Sequence, residues 1–119
     1  MSDSSREPSR PWLAERVALE LASDVRLPEA GAIVEVNALD GRQVCLARLA
    51  GGELTAFEPR CPHQGVPLCH GVLEGEQVIC LEHFWRWQVR SGEPLGPGHP
   101  PLCTYRVDQQ GQRLRLLPA

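Results

Sequence analysis

At 119 residues with 42% hydrophobic side chains, the chain has the length of one globular domain with a modest core. Fifteen acidic residues against twelve basic ones, every basic one an arginine, leave a formal charge of −3 scattered along the sequence, so neither nucleic acid nor an anionic membrane is the expected partner. No apolar run is long enough to cross a bilayer, and the polar, acidic start Met1-Ser2-Asp3-Ser4-Ser5 is unlike a secretion signal, which points to the cytoplasm.

Residues 1–11 are rich in Ser, Pro, Arg and acids and read as a disordered tail. Order is expected to begin at Trp12, giving one domain over 12–119. Leu13 to Leu21 suits a short helix or a strand equally. From Ala32 the pattern is β: Val34, Val36 and Ala38 alternate with Ile33, Glu35 and Asn37, Asp40-Gly41 turns, and Gln43 to Leu49 returns as a hairpin. After Gly51-Gly52, Leu54 to Phe57 forms a third strand that delivers the chain to Cys61. Gln77 to Ile79 is a short strand ending at Cys80, and Trp85, Trp87 and Val89 alternate with Arg86, Gln88 and Arg90. Pro94 to Pro101, with four prolines and two glycines, suits neither helix nor interior strand. Cys103 to Asp108 and Arg113 to Leu117 close the chain as two strands. The expectation is an all-β fold, a small sandwich or barrel of short antiparallel strands.

Two short loops carry the chemistry. Cys61-Pro62-His63-Gln64-Gly65 presents a thiol and an imidazole two positions apart; Cys80-Leu81-Glu82-His83 presents the same pair three apart, after sixteen intervening residues. Five cysteines is an odd number, and in a reducing compartment thiols at ligand spacing point to metal more than to disulfides. Two thiolates with two imidazoles suit a tetrahedral zinc ion or a [2Fe–2S] cluster ligated by Cys₂ and His₂. Zinc fingers commonly pair like ligands within a loop, whereas here each loop is mixed, as a two-iron cluster requires if each loop is to reach both metals.

The arrangement Cys-x-His-x₁₆-Cys-x₂-His, with Pro62, Gly65 and Pro67-Leu68 around the first loop, resembles the Rieske [2Fe–2S] domain. The resemblance covers about the last two thirds of the chain, with residues 58–92 as the cluster-binding part. It implies that Cys61 and Cys80 bind one iron and His63 and His83 the other, at a tip formed by the two loops. All terminal positions would be filled, so electron transfer is implied in place of substrate turnover. The positions matching the clamping disulfide of high-potential Rieske proteins are Val66 and Glu82, and those matching their sulfur-directed Ser and Tyr hydroxyls are Trp85 and Trp87. Loss of those hydrogen bonds implies a potential in the lower part of the Rieske range, roughly −150 mV towards zero.

A soluble, low-potential protein of this kind resembles the ferredoxin component of bacterial oxygenase systems, a monomer taking electrons from a flavin-containing NADH reductase to a terminal oxygenase or hydroxylase. His83-Phe84-Trp85-Arg86-Trp87 departs from the His-Gly of ring-hydroxylating dioxygenase ferredoxins and is closer to ferredoxins of toluene-type diiron monooxygenases. The alternatives are a small Rieske subunit of an assimilatory nitrite reductase and a zinc-stabilised interaction module.

Other residues have simpler readings. Cys45 and Cys103 are expected as small buried apolar residues, Cys69-His70 as loop residues and His99 as solvated. Trp85 and Trp87 share one face and suit a core, with Trp85 also placed to shield a cluster or meet a partner. Glu58, Glu74, Glu76 and Glu82 could form an acidic docking rim or be scattered surface charge.

Overall fold

Strand alternation, more than any local propensity, explains how this chain builds two cores around one sheet. The computed structural model describes residues 18–62, 66–82, 84–96 and 98–119. The expected tail, Trp12, most of the ambiguous 13–21 stretch, His63, Gln64, Gly65, His83 and Pro97 lie outside those residues.

Nine strands are present among the described residues: β1 (Leu19–Leu21), β2 (Ile33–Asn37), β3 (Gln43–Arg48), β4 (Leu54–Phe57), β5 (Val72–Glu74), β6 (Gln77–Cys80), β7 (Trp85–Gln88), β8 (Thr104–Gln110) and β9 (Arg113–Pro118). A 3₁₀ turn covers Leu68–His70. Six strands form one antiparallel sheet in the order β1-β9-β8-β4-β3-β2; β5-β6-β7 form a second. The larger sheet curls until its edges meet, since Leu21 bridges Ala38 and the Leu39 N–H donates to the Glu20 carbonyl at 2.8 Å. That contact brings together two edges that would otherwise offer unpaired backbone. The fold is the expected all-β barrel-like form.

The β2–β3 hairpin forms where expected, with Val36 opposite Val44 and a turn in which Gly41 takes φ +93°. β3 is buried over four successive residues, and alternation explains why. Val44 and Leu46 point into the curled sheet with Leu19, Leu21, Val36, Ala56, Leu114 and Leu116. Cys45 and Ala47 point the other way, joining Phe57, Val78, Trp87 and Val89 in a second core against the smaller sheet. β4 divides likewise, Ala56 inward and Phe57 outward. Trp87 and Phe57 are fully buried, and truncating a ring of this size in a core costs about 3–5 kcal/mol.

β5 and the 3₁₀ turn had no counterpart in the sequence reading. β5 is three residues long and pairs with β6 across a turn at Gly75, where φ is +60°. The sequence Glu74-Gly75-Glu76-Gln77 is the signal that could have marked it.

Candidate metal centre

The first loop is held by backbone bonds at its base. β4 ends at Phe57, and Glu58 follows wholly buried, its N–H donating to the Cys103 carbonyl at 2.9 Å and its carboxylate accepting from the Cys103 N–H at 2.8 Å. Arg60 then bridges Pro67, the Leu68 N–H donates to the Pro59 carbonyl, and the Cys61 N–H donates to the Val66 carbonyl, the last two at 2.8 Å. Cys61 therefore starts a closed loop, with its side chain 1% exposed.

The second loop is the connection of the β6–β7 hairpin. Cys80 pairs with Trp85, and the Phe84 N–H donates to the Cys80 carbonyl at 2.6 Å, closing the turn. Cys80 is 3% exposed and, like Cys61, is in no disulfide.

The loops meet through backbone. A Cβ at Gly71, just past the first loop, would run into the carbonyl oxygen of Ile79, the residue before Cys80. Only glycine permits this approach. Val66, Pro67, His70 and Gly71 from one segment and Cys80, Leu81 and Glu82 from the other line one recess of about 180 Å³.

Both thiols belong to the core between the two sheets. Two buried thiols outside any disulfide, one per loop, fit the sulfur-ligated end of an iron–sulfur cluster or a zinc site, since both take thiolate ligands. His63 and His83 lie outside the described residues, among which no three Cys, His, Asp or Glu side chains gather to hold a metal.

Several expectations are corrected here. Cys45 and Cys69, read as a buried apolar residue and a loop residue, are joined in a disulfide with their Cα atoms 5.4 Å apart. That separation is ordinary for such a bond. It arises because the 3₁₀ turn after the first loop packs against β3. Cys103 is half-buried, not core. His99 is half-buried and not simply solvated: its ring stacks on Trp85 with centroids 3.3 Å apart and planes 4° apart, and its Nδ1 is buried without a hydrogen-bond partner. Gly96 leaves room for that ring. Trp87 fills the core while its Nε1–H donates to the Pro100 carbonyl at 2.9 Å, so the proline loop is pinned to both tryptophans.

The four acids read as a docking rim have different settings, Glu82 being exposed. Glu58 is buried, and Glu74 pairs with Arg86 at 2.6 Å. Glu76 shares Arg90 with Glu53, at 2.9 and 2.6 Å. Hydrogen bonds from Arg90 hold the Glu53 and Glu76 carboxyls below the usual 4.5 and raise the guanidinium's own pKa. Phe84, beside His83, is instead the prominent feature of the second loop. It is 68% exposed and sits at φ +59°, the only positive φ among the described non-glycine residues. The left-handed region costs a bulky L-residue about 1–2 kcal/mol.

These loops on an antiparallel β scaffold define a small cluster-binding type of domain. The chain belongs to the Rieske [2Fe–2S] family, whose domain pattern matches residues 16–106 and whose cofactor is a [2Fe–2S] cluster.

Among curated relatives, the methanesulfonate monooxygenase ferredoxin subunit of Methylosulfonomonas methylovora is 33% identical over 94 residues, covering 78% of this chain and 72% of that protein. The naphthalene 1,2-dioxygenase ferredoxin component of Pseudomonas aeruginosa is 30% identical, with 66% and 75% covered. The 4beta-methylsterol monooxygenase of Methylococcus capsulatus is 45% identical over 72 residues, 56% of this chain, and the match spans only 20% of that protein. Among solved structures, the ferredoxin of carbazole 1,9a-dioxygenase from Nocardioides aromaticivorans superposes with a TM-score of 0.66 at 29% identity, covering 88% of this chain and 97% of that one.

Proposed function

We propose that this chain is a one-electron carrier, the Rieske ferredoxin of a multicomponent oxygenase system. Cys61 and Cys80 hold one iron through sulfur, and His63 and His83 hold the other through nitrogen. The observation that carries this reading is the pair of buried thiols, outside any disulfide, at the start of one closed loop and of the other. The cluster, when bound, stores and releases one electron. The chain's own residues supply its setting: Glu58 and the Arg60–Pro67 bridge hold the first loop, Gly71 lets it reach β6, and Trp87 and Leu68 exclude water from beneath the thiols.

The partners are a flavin-containing NADH reductase and a terminal oxygenase. Support for the second comes from relatives named as ferredoxin components, and from a solved complex of oxygenase with ferredoxin in carbazole 1,9a-dioxygenase, whose matching chain is 24% identical with a TM-score of 0.67. The protein works as a monomer in the cytoplasm, with 12–119 as one domain and 58–92 as its cluster-binding part.

Iron, zinc and acid-labile sulfide analysis of the purified protein tests the reading. Equal amounts of iron and sulfide, with a red-brown colour, are expected. Colourless protein holding zinc and no sulfide would overturn it. Cys80→Ser should abolish the cluster, whereas His83→Cys should keep one with an altered spectrum and a lower potential.

A further inference from the structure

Phe84 is an anomaly that folding alone does not explain. It is a large apolar ring left 68% exposed, on a backbone conformation that glycine would adopt freely. Its one structural service, the bond from its N–H to the Cys80 carbonyl, needs no side chain. Backbone strain of this kind collects where a side chain is held out for a purpose. Leu81, 50% exposed, lies in the same turn, so the hairpin end carries two exposed apolar side chains. Of the acids on this hairpin, Glu74 is paired with Arg86, while Glu82 lies exposed in the turn itself.

We propose that Phe84, flanked by Leu81, is the apolar anchor through which the terminal oxygenase docks on this protein. The inference rests on the electron-carrier reading and names the surface that serves it. Adjacent residues have Cα atoms about 3.8 Å apart, so a partner surface that approaches His83 closely comes within reach of Phe84. An exposed ring there is either an obstacle to docking or its anchor. Holding that ring in a strained conformation favours the anchor, because a ring in a pocket is the usual centre of such an interface. Contact of this kind depends on burial of apolar surface, so it persists at high salt, where a charged rim would fail.

The test uses the full cluster-loaded chain, reduced with dithionite and mixed in a stopped-flow instrument with the purified terminal oxygenase of its own organism. Phe84→Gly and Phe84→Ala should each slow transfer at sub-saturating concentration by about tenfold or more, the loss typical when an aromatic anchor is truncated. The limiting rate at saturation should stay the same, and Phe84→Leu should restore much of the loss. Phe84→Gly should melt no lower than the wild type and higher than Phe84→Ala, because only glycine relieves the strained φ; that separates docking from folding. The defect should persist in high salt. Undiminished transfer by both truncations, or a loss confined to reduction by the NADH reductase, overturns the proposal. If the wild type itself transfers no electrons to the oxygenase, the carrier reading fails and the docking surface falls with it.

Discussion

The Cys45–Cys69 disulfide ties the exit of the first thiol loop to the central strand β3, so its removal gives a quantitative test of how that loop is held. The perturbation is the double substitution Cys45→Ala and Cys69→Ala. The bond closes a loop of 24 residues, and the chain-entropy relation assigns roughly 3.4 kcal/mol to a loop of that length. Unfolding entropy for 119 residues is about 0.25 kcal/mol/K, so the melting temperature should fall by roughly 14 °C. Because Cys45 is fully buried, the missing sulfur leaves a small void that adds to the loss. The assay is a thermal scan of iron-loaded protein at matched iron content, with iron release followed by loss of colour. The variant should also release iron faster, since the 3₁₀ turn bearing Cys69 would no longer be pinned beneath the loop of Cys61. Thiol titration of denatured, metal-free wild type should find three thiols, Cys61, Cys80 and Cys103, before reduction and five after it. Five thiols without reductant, or a melting temperature lowered by less than about 4 °C, would refute this reasoning.

Gly71→Ala should destabilise the protein by about 1–3 kcal/mol and lower its iron content, because the added Cβ meets the Ile79 carbonyl and pushes the first loop away from Cys80; melting and iron analysis check both. Arg90 keeps the Glu53 and Glu76 carboxyls below their ordinary 4.5 through its hydrogen bonds. A depressed carboxyl contributes stability that is fully present above the unfolded-state value and is lost as pH falls through the lowered folded-state value. Urea midpoints should therefore fall below about pH 4.5 more steeply in wild type than in Arg90→Gln, most clearly at low salt; parallel curves would show that the pair does nothing. The reduction potential should lie in the lower part of the Rieske range, roughly −150 mV towards zero, as the Trp87 indole N–H is already given to the Pro100 carbonyl; a redox titration reaching the top of that range would contradict it.

By itself the sequence determined the strands and the chemistry they carry. Two-residue alternation with Gly and Asp turns marked β2, β3, β4, β6, β7, β8 and β9, because burial of one face per strand is written into residue order. The thiol and imidazole pairs stood out for a similar reason, since ligand spacing within a loop is a local property. Tertiary structure alone decided which distant groups meet. Cys45 and Cys69 bond because the turn after the first loop lands on β3, and nothing within either segment encodes that landing. Glu58, grouped by sequence with three surface acids, is buried because two backbone groups of Cys103 receive it. His99 is half-buried because the proline loop folds back over β7 and offers its ring the face of Trp85. In each case the partner lies on a separate segment, and the energy that unites them comes from packing two sheets around a shared core, which acts only once the chain has closed on itself.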